Sequence, residues 1–445
     1  MQMNVPFNIL RQTFVIIAIF WGLVYLLVPG GGTPAATLLA TYSSALIALV
    51  YLLFQMCNAG VISTRLASVA GLIFTLRVII GVVHYLLFFD RSYFNQSAPT
   101  FTYLEDYESL LNLMSAISQH WTEYGFGTFP ADFIIQGQKN VILMPYFSLL
   151  YYLGGNEHFL NIAVLNSLHN VLVATTVAGL AATLVTRKIV AATFLITLLQ
   201  PFGMFSSIMW RDSVGQLFLV IGSSLIFQYR GRLLEIGKPI LGSLMLMSLR
   251  NIYLVVGVLT LFVKLKSQTR GHKGLVYSRV TVLVIFLALS YFYIYDLAIT
   301  FYSFKETGFV HASSQGSEFA VKKFVIGLVG PFPWTQIFNP LVPGREYLLA
   351  DVFQAMYNLS VLFMFLQGLV RKNIRWREQP NVTIIFLVLM IMMIGLLSYG
   401  HVPYVTVATV LLLPLIPGLN ALKFFEVFLF FVVANLSLGM IYGAL

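Results

Sequence analysis

Residues 35–56 read AATLLATYSSALIALVYLLFQM, about six helical turns without a charged side chain. At 1.5 Å of rise per residue, such a helix reaches across the roughly 30 Å hydrocarbon core of a bilayer. A strand of a membrane barrel would be half as long and would alternate apolar with polar residues, and this run does neither. The neighbours repeat the pattern. A run at 8–28 precedes it across the uncharged turn Gly30-Gly31-Gly32-Thr33-Pro34, and another follows at 66–89. Because a Gly-rich turn and a second span follow the first run, that run reads as a retained helix and not as a cleaved signal.

Composition extends this reading to the whole chain. Of 445 residues, 59% are apolar and only 9% charged, whereas a soluble domain is about a quarter charged. Lipid accepts apolar side chains on every outward face, which makes the composition natural for a membrane-embedded chain. The formal net charge of +10 lies mostly in short loops between apolar runs, so it reports topology and argues against nucleic acid. One cysteine, Cys57, excludes an internal disulfide, and no Cys/His spacing suggests a structural metal site.

Loop charge orders the remaining runs. From Asp90 to Asn140 the chain carries Asp90, Glu105, Asp106, Glu108, Glu123 and Asp132 against only Arg91 and Lys139. An acidic loop of this length belongs outside. Residues 141–154 (VILMPYFSLLYYLG) are too short to cross and read as a helix on the outer interface, so the first outer loop is 90–156. Spans then run from about Phe159 inward to Arg187-Lys188, outward to Ser206-Ser207, and inward to Arg230, Arg232 and Lys238. Arg250-Asn251 interrupts the apolar segment 239–265, which is expected to be a hairpin of two short helices. After a span at 280–302, residues 303–346 form a second outer loop. Spans near 347–370, 382–399, 404–420 and 424–444 complete about 13 crossings, with the amino terminus inside. The expected architecture is an all-α, polytopic transmembrane helix bundle. It is one domain, 1–445, with interfacial helices in both outer loops.

Inner charges follow from topology, whereas charges at the outer face need another reason. Glu105 and Asp106, in YLEDYE (residues 103–108), suit a general base that takes a proton from a sugar hydroxyl. Helix capping explains an acidic first turn equally. Asp90, beside Arg91, is a second candidate base and also a plain interfacial anchor. Arg211, Arg250, Lys322, Lys323 and Arg345 suit a lipid phosphate, because guanidinium forks and ammonium groups both bind phosphate oxygens. Pairing within the chain, as in Arg211-Asp212 and Arg345-Glu346, competes with that reading. His401, between Gly400 and Pro403, suits a phosphate donor, a proton shuttle or a structural hydrogen bond.

The order of these features resembles the GT-C class of membrane glycosyltransferases, including polymerases of bacterial surface polysaccharide of the O-antigen type. Members place an acidic residue early in a long first outer loop, followed by interfacial helices and a span that closes on basic residues. The matching stretches are Glu105-Asp106-Tyr107, Met144-Pro145-Tyr146 to Gly154, and the span from Asn161 to Arg187-Lys188. Pro201-Phe202-Gly203 through Trp210-Arg211-Asp212-Ser213, Leu249-Arg250 and Gly330-Pro331-Phe332-Pro333-Trp334 are similar to later landmarks. Three spans, where the class has one, precede the acidic loop.

The resemblance implies a donor sugar on a polyprenyl phosphate or diphosphate, a glycan acceptor and a bacterial inner-membrane location. The base is one of Asp90, Glu105 and Asp106, and the cations stabilise the departing phosphate. No cofactor is expected, and a divalent metal is not indicated. The competing expectation is a transporter or flippase of lipid-linked sugars, which also wants cations around a cavity.

Overall fold

The computed structural model describes residues 34–84, 116–117, 119–125, 148, 160–201, 211–230, 235–247, 252–268, 345–375, 378–398 and 408–444. Among the described residues the regular structure is entirely helical. Five helices there are long and apolar enough to cross a membrane. The apolar runs at 8–28 and 280–302 lie outside the described residues, as does residue 141–154 apart from position 148. The chain separates into two compact units: 1–217 with 341–347, and 218–340 with 348–445.

In the first unit, α1 (Pro34–Asn58) and α2 (Thr64–His84) match the runs that predicted them. Their ends follow from local chemistry. Gly60, at φ +69°, takes the left-handed turn that closes α1, and the Val61 N–H donates back to Met56 O at 3.0 Å. Ser63 then opens α2, its Oγ accepting from the Leu66 N–H. The two helices pack through Tyr42, whose ring stacks on Phe74 at 5.9 Å and whose hydroxyl lies 3.1 Å from Thr75 Oγ1. The next helix, α3 (Leu160–Ala181), is the interior element of this unit, with 94% of its apolar window buried. Both α1 and α2 pack against it, as does α4 (Arg187–Leu198).

Helix α4 departs from expectation. The apolar run that follows Arg187-Lys188 continues to Ser206-Ser207, but the helix has only 12 residues. That is about 18 Å, well short of a bilayer core. Leu199 and Gln200 leave the helix in a turn, and Pro201 follows. Proline has no N–H to donate and disfavours helical backbone at the residue before it, so the chain cannot continue straight there.

Within the long acidic segment, residues 119–124 are helical, and Ile117 and Trp121 are both buried. Gly125, at φ +98°, ends that turn, and its N–H bonds Trp121 O at 3.1 Å.

The unit boundary falls within α5 (Arg211–Gln228). In the second unit, α6 (Gly237–Met247) and α7 (Ile252–Gln268) flank the Arg250 interruption and pack on each other, as a hairpin requires. The tip, 248–251, is outside the described residues. Helices α8 (Arg345–Val370) and α9 (Gln379–Ser398) match their predicted spans to within a few residues.

The span expected at 404–420 is different where it is described. Residues 410–415 form a fully buried 3-10 helix containing Pro414, and Pro417 and Gly418 end it. Six apolar residues in this tighter form rise only about 12 Å. The final helix is α10 (Ala421–Ala444).

Candidate functional site

Asp90, Glu105, Asp106, Arg250, Lys322, Lys323 and His401 lie outside the described residues. Arg211 and Arg345 are the first residues of α5 and α8, and their side chains are outside the description. The structure therefore defines no distance among the cations or carboxylates chosen from the sequence. It does bring together a set of polar side chains that loop charge does not point to.

The centre of that set is the broken end of α4. Carbonyl groups in the last turn of a helix have no partner within it and carry a partial negative charge. Here two other helices supply the partners. Arg77, 2% exposed on α2, donates from Nη2 to Leu198 O at 3.0 Å and also to Gln200 O. Asn170 on α3 donates from Nδ2 to the same Leu198 oxygen at 3.0 Å. A guanidinium inside a candidate span is costly unless it finds such acceptors, and a helix end inside protein is costly unless it finds such donors. Each resolves the other.

The Gln200 side chain extends the arrangement. Its Nε2 donates to Asn170 Oδ1 at 2.8 Å and to Gln216 Oε1 at 3.0 Å, and it accepts from Gln216 Nε2 at 3.1 Å. Two amides exchanging bonds in this way fix both planes. Gln200 thus ties the end of α4 to α2 through its carbonyl, and to α3 and α5 through its side chain. Asn166, His169 and Asn170, at i, i+3 and i+4, give α3 a buried polar face at this level. Amides, an imidazole and a guanidinium can hold hydroxyls or an anion. Among the described residues no group of three His, Cys, Asp or Glu could hold a metal ion.

The second unit repeats the device with different residues. Lys264 of α7 is buried and donates from Nζ to Ile226 O at 2.8 Å and to Phe227 O, closing the end of α5. Asn358 Oδ1 on α8 accepts from Gln354 Nε2 at 3.2 Å and from Thr409 Oγ1 at 2.9 Å, which anchors the start of the 3-10 helix.

A sequence signal for the first cluster exists. Arg77 stands in the middle of GLIFTLRVIIGVVH (residues 71–84), and an ionisable residue inside a span is a candidate site by default. No protein-family model, no curated protein and no solved structure matches the chain.

Proposed function

We propose that this protein is a glycosyltransferase of a bacterial inner membrane. It transfers or polymerises sugars from a polyprenyl phosphate or diphosphate donor on the extracytoplasmic face, during surface polysaccharide assembly. The arrangement has about 13 spans with a cytoplasmic amino terminus. One of Asp90, Glu105 and Asp106 deprotonates the acceptor hydroxyl, and Arg211, Arg250, Lys322, Lys323, Arg345 and His401 supply positive charge and donors for the leaving phosphate.

The observation that carries the reading is the break after α4. The helix stops at Leu198, and the segment 201–213 that follows is among those resembling the GT-C class. Irregular backbone at membrane depth persists only where protein buries it or a water-filled cavity meets it. The bonds of Arg77, Asn170 and Gln216 hold Leu198 and Gln200, immediately before that segment, and Arg211, near its end, opens the next helix.

The same break supports a second reading. Discontinuous helices whose ends meet near the bilayer midplane are also how many transporters build their sites. A flippase of lipid-linked sugars would use the cations to hold the phosphate without breaking a bond.

Purified protein with a polyprenyl-diphosphate-linked sugar and a glycan acceptor separates the two. We expect product formation by the wild type, loss of about two to four orders of magnitude in one of Asp90→Asn, Glu105→Gln and Asp106→Asn, and a raised donor requirement in Arg250→Ala. Movement of intact donor across vesicles with no glycosidic product would replace the transferase with the transporter. Repeating the assay with a chelator tests the expectation that no divalent metal is required.

A further inference from the structure

The polar side chains that meet at the end of α4 all belong to the first unit, and the helix bounds give their depth. Arg77 lies 13 residues from the start of α2 at Thr64, Asn170 lies 11 from the end of α3 at Ala181, and Leu198 lies 11 from the start of α4 at Arg187. Loop charge assigns these three helix ends to the cytoplasmic side. At about 1.5 Å per residue they are about 17–20 Å from the cluster, which puts it well inside a hydrocarbon core of roughly 30 Å.

At that depth the Gln200–Gln216 pair is the part that packing alone does not require. Both residues are 1% exposed. Two apolar side chains would fill the same space, and replacing both partners of a hydrogen bond in this way is close to neutral. What the amides add is register. The bonds of 3.0 and 3.1 Å fix each side chain against the other, and the 2.8 Å bond to Asn170 fixes Gln200 against α3. An apolar contact would let α5 slide or turn against the end of α4, whereas a buried network with its bonds made specifies one geometry. Gln216 stands in the second turn of α5, five residues from Arg211, or about 7.5 Å along the axis. A helix is stiff over that length, so whatever holds Gln216 holds the start of α5.

We propose that Gln216, held by Gln200, positions the start of α5 so that Arg211 meets the phosphate of the polyprenyl-linked donor. This rests on the role proposed above for Arg211. Gln200 and Gln216 are positioning residues and do not themselves touch the donor. A guanidinium fork binds phosphate oxygens only in a narrow geometry, so the height and rotation of the helix that carries it matter.

The test uses the full chain in lipid nanodiscs, with a fluorescent polyprenyl phosphate as the probe and thermal unfolding as a second readout. Gln216→Met keeps the length of the side chain, loses the bonds to Gln200 and should raise Kd about tenfold. Gln216→Asn, an amide one methylene shorter, should raise it less and serves if the Met variant folds poorly. Arg211→Ala should raise Kd at least as far, and adding Gln216→Met to it should change nothing further, because the two act as one unit. Tyr357→Leu, in the second unit and 1% exposed, should lower the unfolding midpoint and leave Kd unchanged. A Gln216→Met chain that behaves like Tyr357→Leu would overturn the inference while leaving Arg211 its role, and so would effects of Gln216→Met and Arg211→Ala that multiply. No binding by the wild type, or an unchanged Kd in Arg211→Ala, would remove that role and the inference with it.

Discussion

Arg77 shows how backbone carbonyls help to accommodate a buried charge. Its guanidinium occupies the negative end of α4, where Leu198 O and Gln200 O have lost their helical donors. Arg77→Met should therefore cost about 1–3 kcal/mol, the penalty for an unsatisfied buried carbonyl. Thermal unfolding of the detergent-purified protein would report this as a lowered midpoint. Arg77→Lys, which keeps the charge and part of the donor set, should fall between. An unchanged midpoint in Arg77→Met would mean that the carbonyls find other donors. Arg77 itself is legible in the sequence as a charge within an apolar run. Its acceptors are not, because they lie more than a hundred residues further on and are backbone atoms, which carry no residue identity.

At the scale of elements, close packing in the second unit rests on α5, α6 and α7 meeting through glycine. A Cβ placed on Gly222 would stand 2.6 Å from Gly242 O, and one on Gly242 would stand 2.7 Å from Gly222 O. The two backbones touch. Gly242→Ala should thus force the helices apart and cost about 1–3 kcal/mol. Gly71→Ala, with nothing within 4 Å of the new methyl, should be neutral or stabilise α2 by up to about 1 kcal/mol through helix propensity. A comparison of the two unfolding midpoints checks both signs, and equal behaviour would contradict the crossing. Hydropathy located most helices well, because burial and lipid contact select the same apolar side chains. Hydropathy does not foresee the end of α4 at Leu198 or the 3-10 form of residues 410–415, where Pro201 and Pro414 alter the backbone of runs whose composition stays apolar. In both places the proline is the visible sequence signal of the change.

For the molecule as a whole, the sequence predicts a membrane protein, and five helices suited to crossing a bilayer agree with that. The sidedness of the chain is a separate matter and has its own experiment. With Cys57 replaced, a cysteine at Ser109 should react with an impermeant maleimide added outside intact cells, and one at Ser267 should react only after permeabilisation. Labelling of position 267 from outside would invert the loops to which the carboxylates and cations have been assigned. Charge and resemblance point to the outer-face residues, of which only Arg211 and Arg345 fall on described helices. The cluster at Gln200 is not legible from charge, because its amides are neutral.

The union of Arg77 with the end of α4 also has a consequence for how the chain is made. Synthesis runs from the amino terminus, so α2 enters the membrane long before Leu198 and Gln200 exist, and in that interval its guanidinium lacks these two acceptors. The contacts that join α2 to the end of α4 can therefore form only after α4 has been made. A chain truncated after Val185 lacks both acceptors and should be shorter-lived in the cell than the full-length chain. In the full-length chain Arg77→Leu removes the same two contacts and should also shorten the lifetime. A pulse-chase measurement of the three chains checks both outcomes, and a truncated chain as long-lived as the full-length one would show that the union is dispensable.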